Sequence, residues 1–101
     1  MTNYITPTHD LAQMIALIKQ NKYKTTKGAR EGATELGLSL DEMIQVVVSL
    51  PTTGKFYKTM EADKNPGYWM DVYHTKTSAG VDVYLKLMMQ NGVLIVSFKE
   101  L

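Results

Sequence analysis

Two hydrophobic rhythms divide the chain. In the first half, apolar and small residues recur at steps of three and four: Leu11, Met14, Ile15, Ile18; then Ala29, Gly32, Ala33, Leu36; then Leu40, Met43, Ile44, Val47. That spacing puts each set on one face of a helix. The first helix is expected over about 9–20, capped by Thr8 with Asp10 in its first turn, and His9 reads as a helix-start residue. The second is capped by Thr26 and stopped by Gly37, and its stripe of small residues allows close approach to a neighbour. Ser39 and Glu42 have the spacing of a capping box for the third, which Pro51 closes. Tyr23–Thr25 is short enough to be a small strand.

The second half alternates instead. Lys55–Glu61 (KFYKTME) and Tyr68–His74 (YWMDVYH) read as strands, with Asn65-Pro66-Gly67 turning between them and 77–80 turning after them. Then comes VYLKLMMQNGVLIVSFK, residues 83–99, in which Asn91-Gly92 marks a hairpin, because both residues tolerate the positive φ that a two-residue turn requires. Such a turn fixes the pairing. Met89 faces Leu94, Leu87 faces Val96 and Leu85 faces Phe98 on an apolar, inward side. Lys86 faces Ser97 and Tyr84 faces Lys99 on the other, with Cβ atoms about 5 Å apart. Helices first and antiparallel strands afterwards indicate an α+β fold: a curved antiparallel sheet of four to six strands with about three helices mainly on one face, in a single domain spanning 1–101.

Composition narrows the partners. At 45% hydrophobic and 21% charged, the 101 residues suit a globular protein. There is no cysteine, hence no disulfide framework and no thiolate zinc site. The two histidines form no ligand pattern, so neither a metal nor a cofactor is expected. MTNYITPTHD is no signal peptide and no apolar run is long enough for a membrane span, so a cytoplasmic protein without membrane contact is expected. The net charge of +1 is too small for binding to polyanions by bulk charge. Lys19 to Arg30 holds five basic residues and no acid, which reads as a solvated face.

No phosphate loop, dinucleotide fingerprint, HExxH, CxxC or nucleophile elbow occurs. What remains is the open sheet face, where Lys58, Tyr84, Lys86 and Lys99 can meet, with Tyr57, Trp69 and Tyr73 close in sequence. Lysines for phosphate and rings for bases are how many proteins hold single-stranded RNA on a sheet. Read from the residues alone, Tyr57 and Tyr73 are expected to pack rather than to bind. The parity of Lys58 relative to Tyr84 is open, because the loops between those strands do not set register.

FYK at 56–58, WMDVY at 69–73, VYLK at 83–86 and VLIVSFKE at 93–100, with ELGL at 35–38 and the Thr-Pro at 6–7, resemble the motility quorum-sensing regulator toxins (MqsR) of the RelE-like superfamily, in order and over nearly the whole chain. The resemblance implies an mRNA interferase. It would cut single-stranded mRNA at GC-containing sites without ribosome, metal or cofactor, inhibiting translation and growth. It also implies a cognate antitoxin, MqsA-like, dimeric and zinc- and DNA-binding, through which alone the toxin would reach DNA. Position by position, the family's catalytic residues fall on Lys58, Tyr84 and Lys99, and the expected substrate contacts on Met70, Lys86 and Tyr57. The family pattern has a glutamine at position 70. Met70 cannot donate a hydrogen bond, so altered activity or sequence preference is expected there. A weakened module that binds RNA or antitoxin in transcriptional regulation is the alternative.

The RNA itself would supply the nucleophile, a 2′-OH attacking the adjacent phosphate. Lys58 and Lys99 would hold that phosphate, and Tyr84 would move a proton, its phenol made more acidic by two nearby ammonium groups. Losing one such clamp is expected to cost 10²–10³ in rate, by analogy with a lost oxyanion donor. His74 is a further candidate acid or base, and the resemblance does not single it out.

Overall fold

The computed structural model describes residues 3–4, 6–63 and 66–101. Among these residues, four helices lie against one side of a six-stranded sheet of order β1-β3-β4-β5-β6-β2. The strands are β1 (Asn3–Tyr4), β2 (Tyr23–Thr25), β3 (Lys55–Glu61), β4 (Trp69–Lys76), β5 (Asp82–Met89) and β6 (Val93–Glu100). The helices are α1 (Leu11–Lys19), α2 (Lys27–Glu35), α3 (Leu40–Val48) and the single turn α4 (Leu50–Thr53). The α+β class stands. One pairing departs from the expected antiparallel sheet: β2 runs parallel to β6, Tyr23 opposite Val93. Asn65, part of the expected turn, lies outside the described residues.

The helical stripes are buried as the spacing requires. Met14, Ile15, Ile18, Ala29, Ala33, Met43, Val46 and Val47 pack on Val83, Leu85, Leu87, Val93, Ile95 and Phe98 from the sheet. The capping box at Ser39 and Glu42 is present, and Thr26 caps α2 through the Ala29 N–H at 3.0 Å. Two ends differ. The cap of α1 is Asp10, which accepts from Gln13 N–H. Thr8 and His9 instead bind the sheet: their backbone N–H groups donate to the two carboxylate oxygens of buried Asp71 at 2.9 and 2.8 Å. Pro51 does not close α3; Ser49 does, and Pro51 sits in the first turn of α4, where its missing N–H costs nothing.

Gly32 explains how α2 reaches β6: a Cβ there would overlap the Phe98 carbonyl. Gly92, at φ 110°, lies where a Cβ would come within 2.7 Å of the Lys22 carbonyl oxygen, because Lys22 lies beside the hairpin end.

The hairpin itself is a correction. Met89 pairs with Val93, Met88 with Leu94 and Leu87 with Ile95, so the loop is Gln90-Asn91-Gly92, three residues and not two. A bulge then adds Val96 to β6, and beyond it Lys86 faces Ser97, Leu85 faces Phe98 and Tyr84 faces Lys99. The pairings expected for Leu94 and Val96 fail. Neither side chain joins the core; both line a depression with Met70 and Met88. The pairings of Tyr84, Leu85 and Lys86 hold, because one residue lost at the turn is restored at the bulge.

Candidate functional site

Cross-strand pairing places the candidate residues in rows on the side of the sheet away from the helices. One row runs Lys58, Val72, Lys86, Ser97 across β3, β4, β5 and β6. The next runs Lys55, His74, Tyr84, Lys99. Side chains two residues apart on a strand lie roughly 7 Å apart, so the two rows form one patch, with fully buried Val72 as its floor. A second bulge, between Phe56 and Lys58, resolves the parity left open by the sequence. It turns Tyr57 outward as well, where the ring is 54% exposed and stacks on His74 at 4.4 Å. Tyr57 is therefore not a packing residue, whereas Tyr73 is, buried edge-to-face against Phe56.

Three ammonium groups surround this aromatic line. Lys99 Nζ lies 5.1 Å and Lys86 Nζ 5.8 Å from the Tyr84 ring centre, and Lys58 Nζ lies 5.5 Å from that of Tyr57. No carboxylate pairs with any of them: the ion pairs among the described residues are Lys27–Glu31 and Lys76–Asp82. Burial pushes the Lys86 ammonium below its ordinary range, with Lys99 and Lys58 adding repulsion against a counter-pull from Asp63. Like charges gathered in this way repel one another and favour the approach of an anion.

The Tyr84 phenol does not behave as expected. Burial raises it above its ordinary value, and Tyr57 adds to the rise, so the nearby lysines do not make it more acidic. At neutral pH it is a hydrogen-bond donor in its protonated form, not a phenolate.

Met70 stands one row further along. It is 7% exposed and borders a depression of about 340 Å³ with Tyr68, Met88, Leu94 and Val96, edged by Asp63 and Gln90. Its backbone is held by Thr59, whose hydroxyl donates to the Met70 carbonyl at 3.2 Å. Trp69 is held near the N-terminal segment, its carbonyl accepting from His9 Nε2 at 2.9 Å. Of the basic stretch 19–30, Lys24 pairs with Leu94 from the edge strand β2, and Arg30 is turned back onto Thr25. Among the described residues no group of three or more His, Cys, Asp or Glu gathers to hold a metal, and no helix is long and apolar enough to cross a membrane.

The family model described as motility quorum-sensing regulator, toxin of MqsA, matches residues 6–100. The chain belongs to this toxin family. It is 40% identical over 95 residues to the mRNA interferase toxin MqsR of Escherichia coli (strain K12), spanning 94% of this chain and 95% of that protein. The matched region contains every strand of the lysine–tyrosine patch. Two features of the patch were not legible in advance: the outward Tyr57 and the central position of His74. The signal for the first was present, since Phe56 and Lys58 suit opposite faces only if one extra residue lies between the pleats.

Proposed function

We infer that this protein is a toxin endoribonuclease that cuts mRNA, and that the lysine–tyrosine patch is where it cuts. The carrying observation is the gathering of Lys58, Lys86 and Lys99, without carboxylate partners, around Tyr84 on the uncovered sheet face. Single-stranded RNA fits this surface: phosphates on ammonium groups, bases on the exposed Tyr57 ring.

The reaction is transesterification. The 2′-oxygen attacks the adjacent phosphorus, the bond to the 5′-oxygen breaks, and a 2′,3′-cyclic phosphate remains. Lys58, Lys86 and Lys99 hold the phosphate and neutralise the charge that grows on its oxygens in the transition state. The protonated phenol of Tyr84 supplies a hydrogen bond to the reacting group and a proton to the leaving oxygen. Neither a metal nor a ribosome has a part in this scheme, and cleavage falls at GC-containing sites. Met70 and Tyr57 contact the flanking nucleotides.

An antitoxin partner follows from the family. We propose that it is MqsA-like, dimeric, zinc-binding and DNA-binding, and that the toxin acts on mRNA in the cytoplasm. Incubating the purified protein with single-stranded RNA in EDTA tests the reading: fragments ending in 2′,3′-cyclic phosphate are expected. Salt-sensitive binding without cleavage or growth arrest would instead indicate a module that has lost its chemistry, the reading favoured by a methionine at position 70.

A further inference from the structure

Transesterification needs a base for the 2′-OH as well as an acid for the 5′-oxygen, and the residues above provide the acid alone. We propose that His74 is the general base of this site, working opposite Tyr84 as general acid; this rests on the endoribonuclease reading. His74 and Tyr84 are direct cross-strand partners, with ring centres 6.1 Å apart and tilted by 43°. Tyr57 stacks on His74 from the β3 side at 4.4 Å and 22°, which fixes the plane of the imidazole on the open face. The phosphate-holding lysines flank the pair, so a phosphodiester seated among them lies between an imidazole and a phenol.

Elimination leads to the same residue. A base on this face must be unprotonated at neutral pH. The Tyr84 phenol is protonated, and burial holds it so. Burial, with Lys99 and Lys58 adding to it, pushes the Lys86 ammonium down, but an arriving phosphate favours its charged form and opposes that push. The carboxylates are engaged elsewhere: Asp71 accepts from Thr8 and His9 on the helix side, Asp82 pairs with Lys76, and Glu61 accepts from Gly67 N–H at 2.6 Å. Asp63 edges the depression at Met70, beyond the lysine row. An imidazole is the side chain that changes charge between pH 5 and 8. The groups facing His74 are Lys55 and Tyr57 on β3, Tyr84 on β5 with Lys99 beyond it on β6, and Lys76 two residues along β4, neutralised by Asp82 at 2.7 Å.

The step balances. An imidazole nitrogen of His74 takes the 2′-OH proton as the oxygen–phosphorus bond forms. Tyr84 gives its phenolic proton to the 5′-oxygen as that bond breaks. The imidazolium and phenolate left behind return to their starting forms by exchange through the open face.

The test is the pH dependence of kcat/KM on single-stranded RNA in EDTA for the parent, His74→Gln and Tyr84→Phe. His74→Gln is expected to lose 10²–10⁴ in rate and, with it, the fall in activity on the acid side, while Tyr84→Phe keeps that fall. A substrate with sulfur as the 5′-bridging atom has a leaving group that needs no proton. It restores Tyr84→Phe and leaves His74→Gln inactive. Added imidazole partly restores His74→Ala, which a purely structural role would not allow. The assignment is overturned if His74→Gln keeps the acid-side fall within threefold of parental rate, or if the sulfur substrate rescues it. A parent inert toward every RNA would overturn the endoribonuclease reading and this assignment with it. An active parent with an unaffected His74→Gln would overturn the assignment alone.

Discussion

Replacing Lys99 by methionine removes a charge while keeping most of the side chain's length, so it isolates the electrostatic part of phosphate holding. An ammonium and a phosphate about 4 Å apart attract by about 1 kcal/mol in water and about 4 kcal/mol at an effective dielectric of 20. Lys99 is exposed, which favours the lower figure. Yet its charge depresses the neighbouring Lys86 ammonium, so solvent does not screen it fully. A loss near 2 kcal/mol follows, about 30-fold in kcat/KM. This is below the hundred- to thousandfold loss expected of a buried oxyanion donor, and the difference measures exposure. One phosphate contact fewer should also flatten the slope of log affinity against log salt by about 0.7. The assay is initial cleavage rate and RNA affinity from low to physiological salt, with Lys27→Met as control, since Lys27 sits in an exposed pair on α2. A Lys99→Met protein within threefold of the parent at low salt, with the parental salt slope, would refute the charge argument.

Substitutions at four other positions probe the scaffold. Asp71→Ala leaves the Thr8 and His9 N–H groups without their acceptor and should cost about 2–5 kcal/mol in urea unfolding, with Asp71→Asn losing less. Gly32→Ala forces a methyl against the Phe98 carbonyl and should cost about 3 kcal/mol or more, separating α2 from the strand that carries Lys99. Met70→Gln buries an amide among Met88, Leu94 and Val96, so a stability loss of about 1–2 kcal/mol with no gain in cleavage is expected; a tenfold faster enzyme would contradict this. Burial, with Asp71 and Asp10 adding to it, pushes the Tyr73 phenol up to about 12. Above pH 10 the unfolded chain releases this proton while the folded one keeps it, so stability present below pH 10 falls by about 3 kcal/mol on approach to pH 12. Tyr73→Phe should show a flatter alkaline unfolding curve.

The Tyr84–Lys99 pairing was legible in the sequence, although by way of a turn one residue too short. Asn91 and Gly92 do take positive φ, at 52° and 110°. The loop nonetheless includes Gln90, whose N–H donates to the Gly92 carbonyl at 2.8 Å. The compensating bulge at Val96 also makes a distant contact. Its carbonyl accepts from the Thr26 hydroxyl at 2.7 Å, a residue 70 positions earlier that also caps α2. Local propensity says nothing about such a contact. The same holds for β2, whose three residues become a strand only because β6 lies alongside. The helices were legible throughout, because their stripes and caps are local. Met70 was legible as a departure from the family pattern, but its apolar surroundings depend on Leu94 and Val96 leaving the core side, and so on the three-residue turn.

Both bulges follow from one constraint, and that constraint builds the site. In β6, Ile95 and Phe98 are both fully buried, although a regular pleat would send residues three apart to opposite faces. Inserting Val96 lets both enter the core. In β3, Phe56 packs against Tyr73 while Lys58 points away, which requires the extra Tyr57 between them. Burying a phenylalanine is worth about 1.5–3 kcal/mol, enough to hold an irregular strand against the loss of a ladder bond. In each case the aromatic drawn inward sets its lysine outward: Phe98 sets Lys99, and Phe56 sets Lys58 with Tyr57. A regular β6 running back from the observed turn would place Lys99 in the core and Phe98 beside Tyr84. The positions of the phosphate-holding charges are therefore consequences of core packing, so substitutions at Phe56 or Phe98 that preserve volume should preserve cleavage, whereas those that empty the core should disable the patch without touching it.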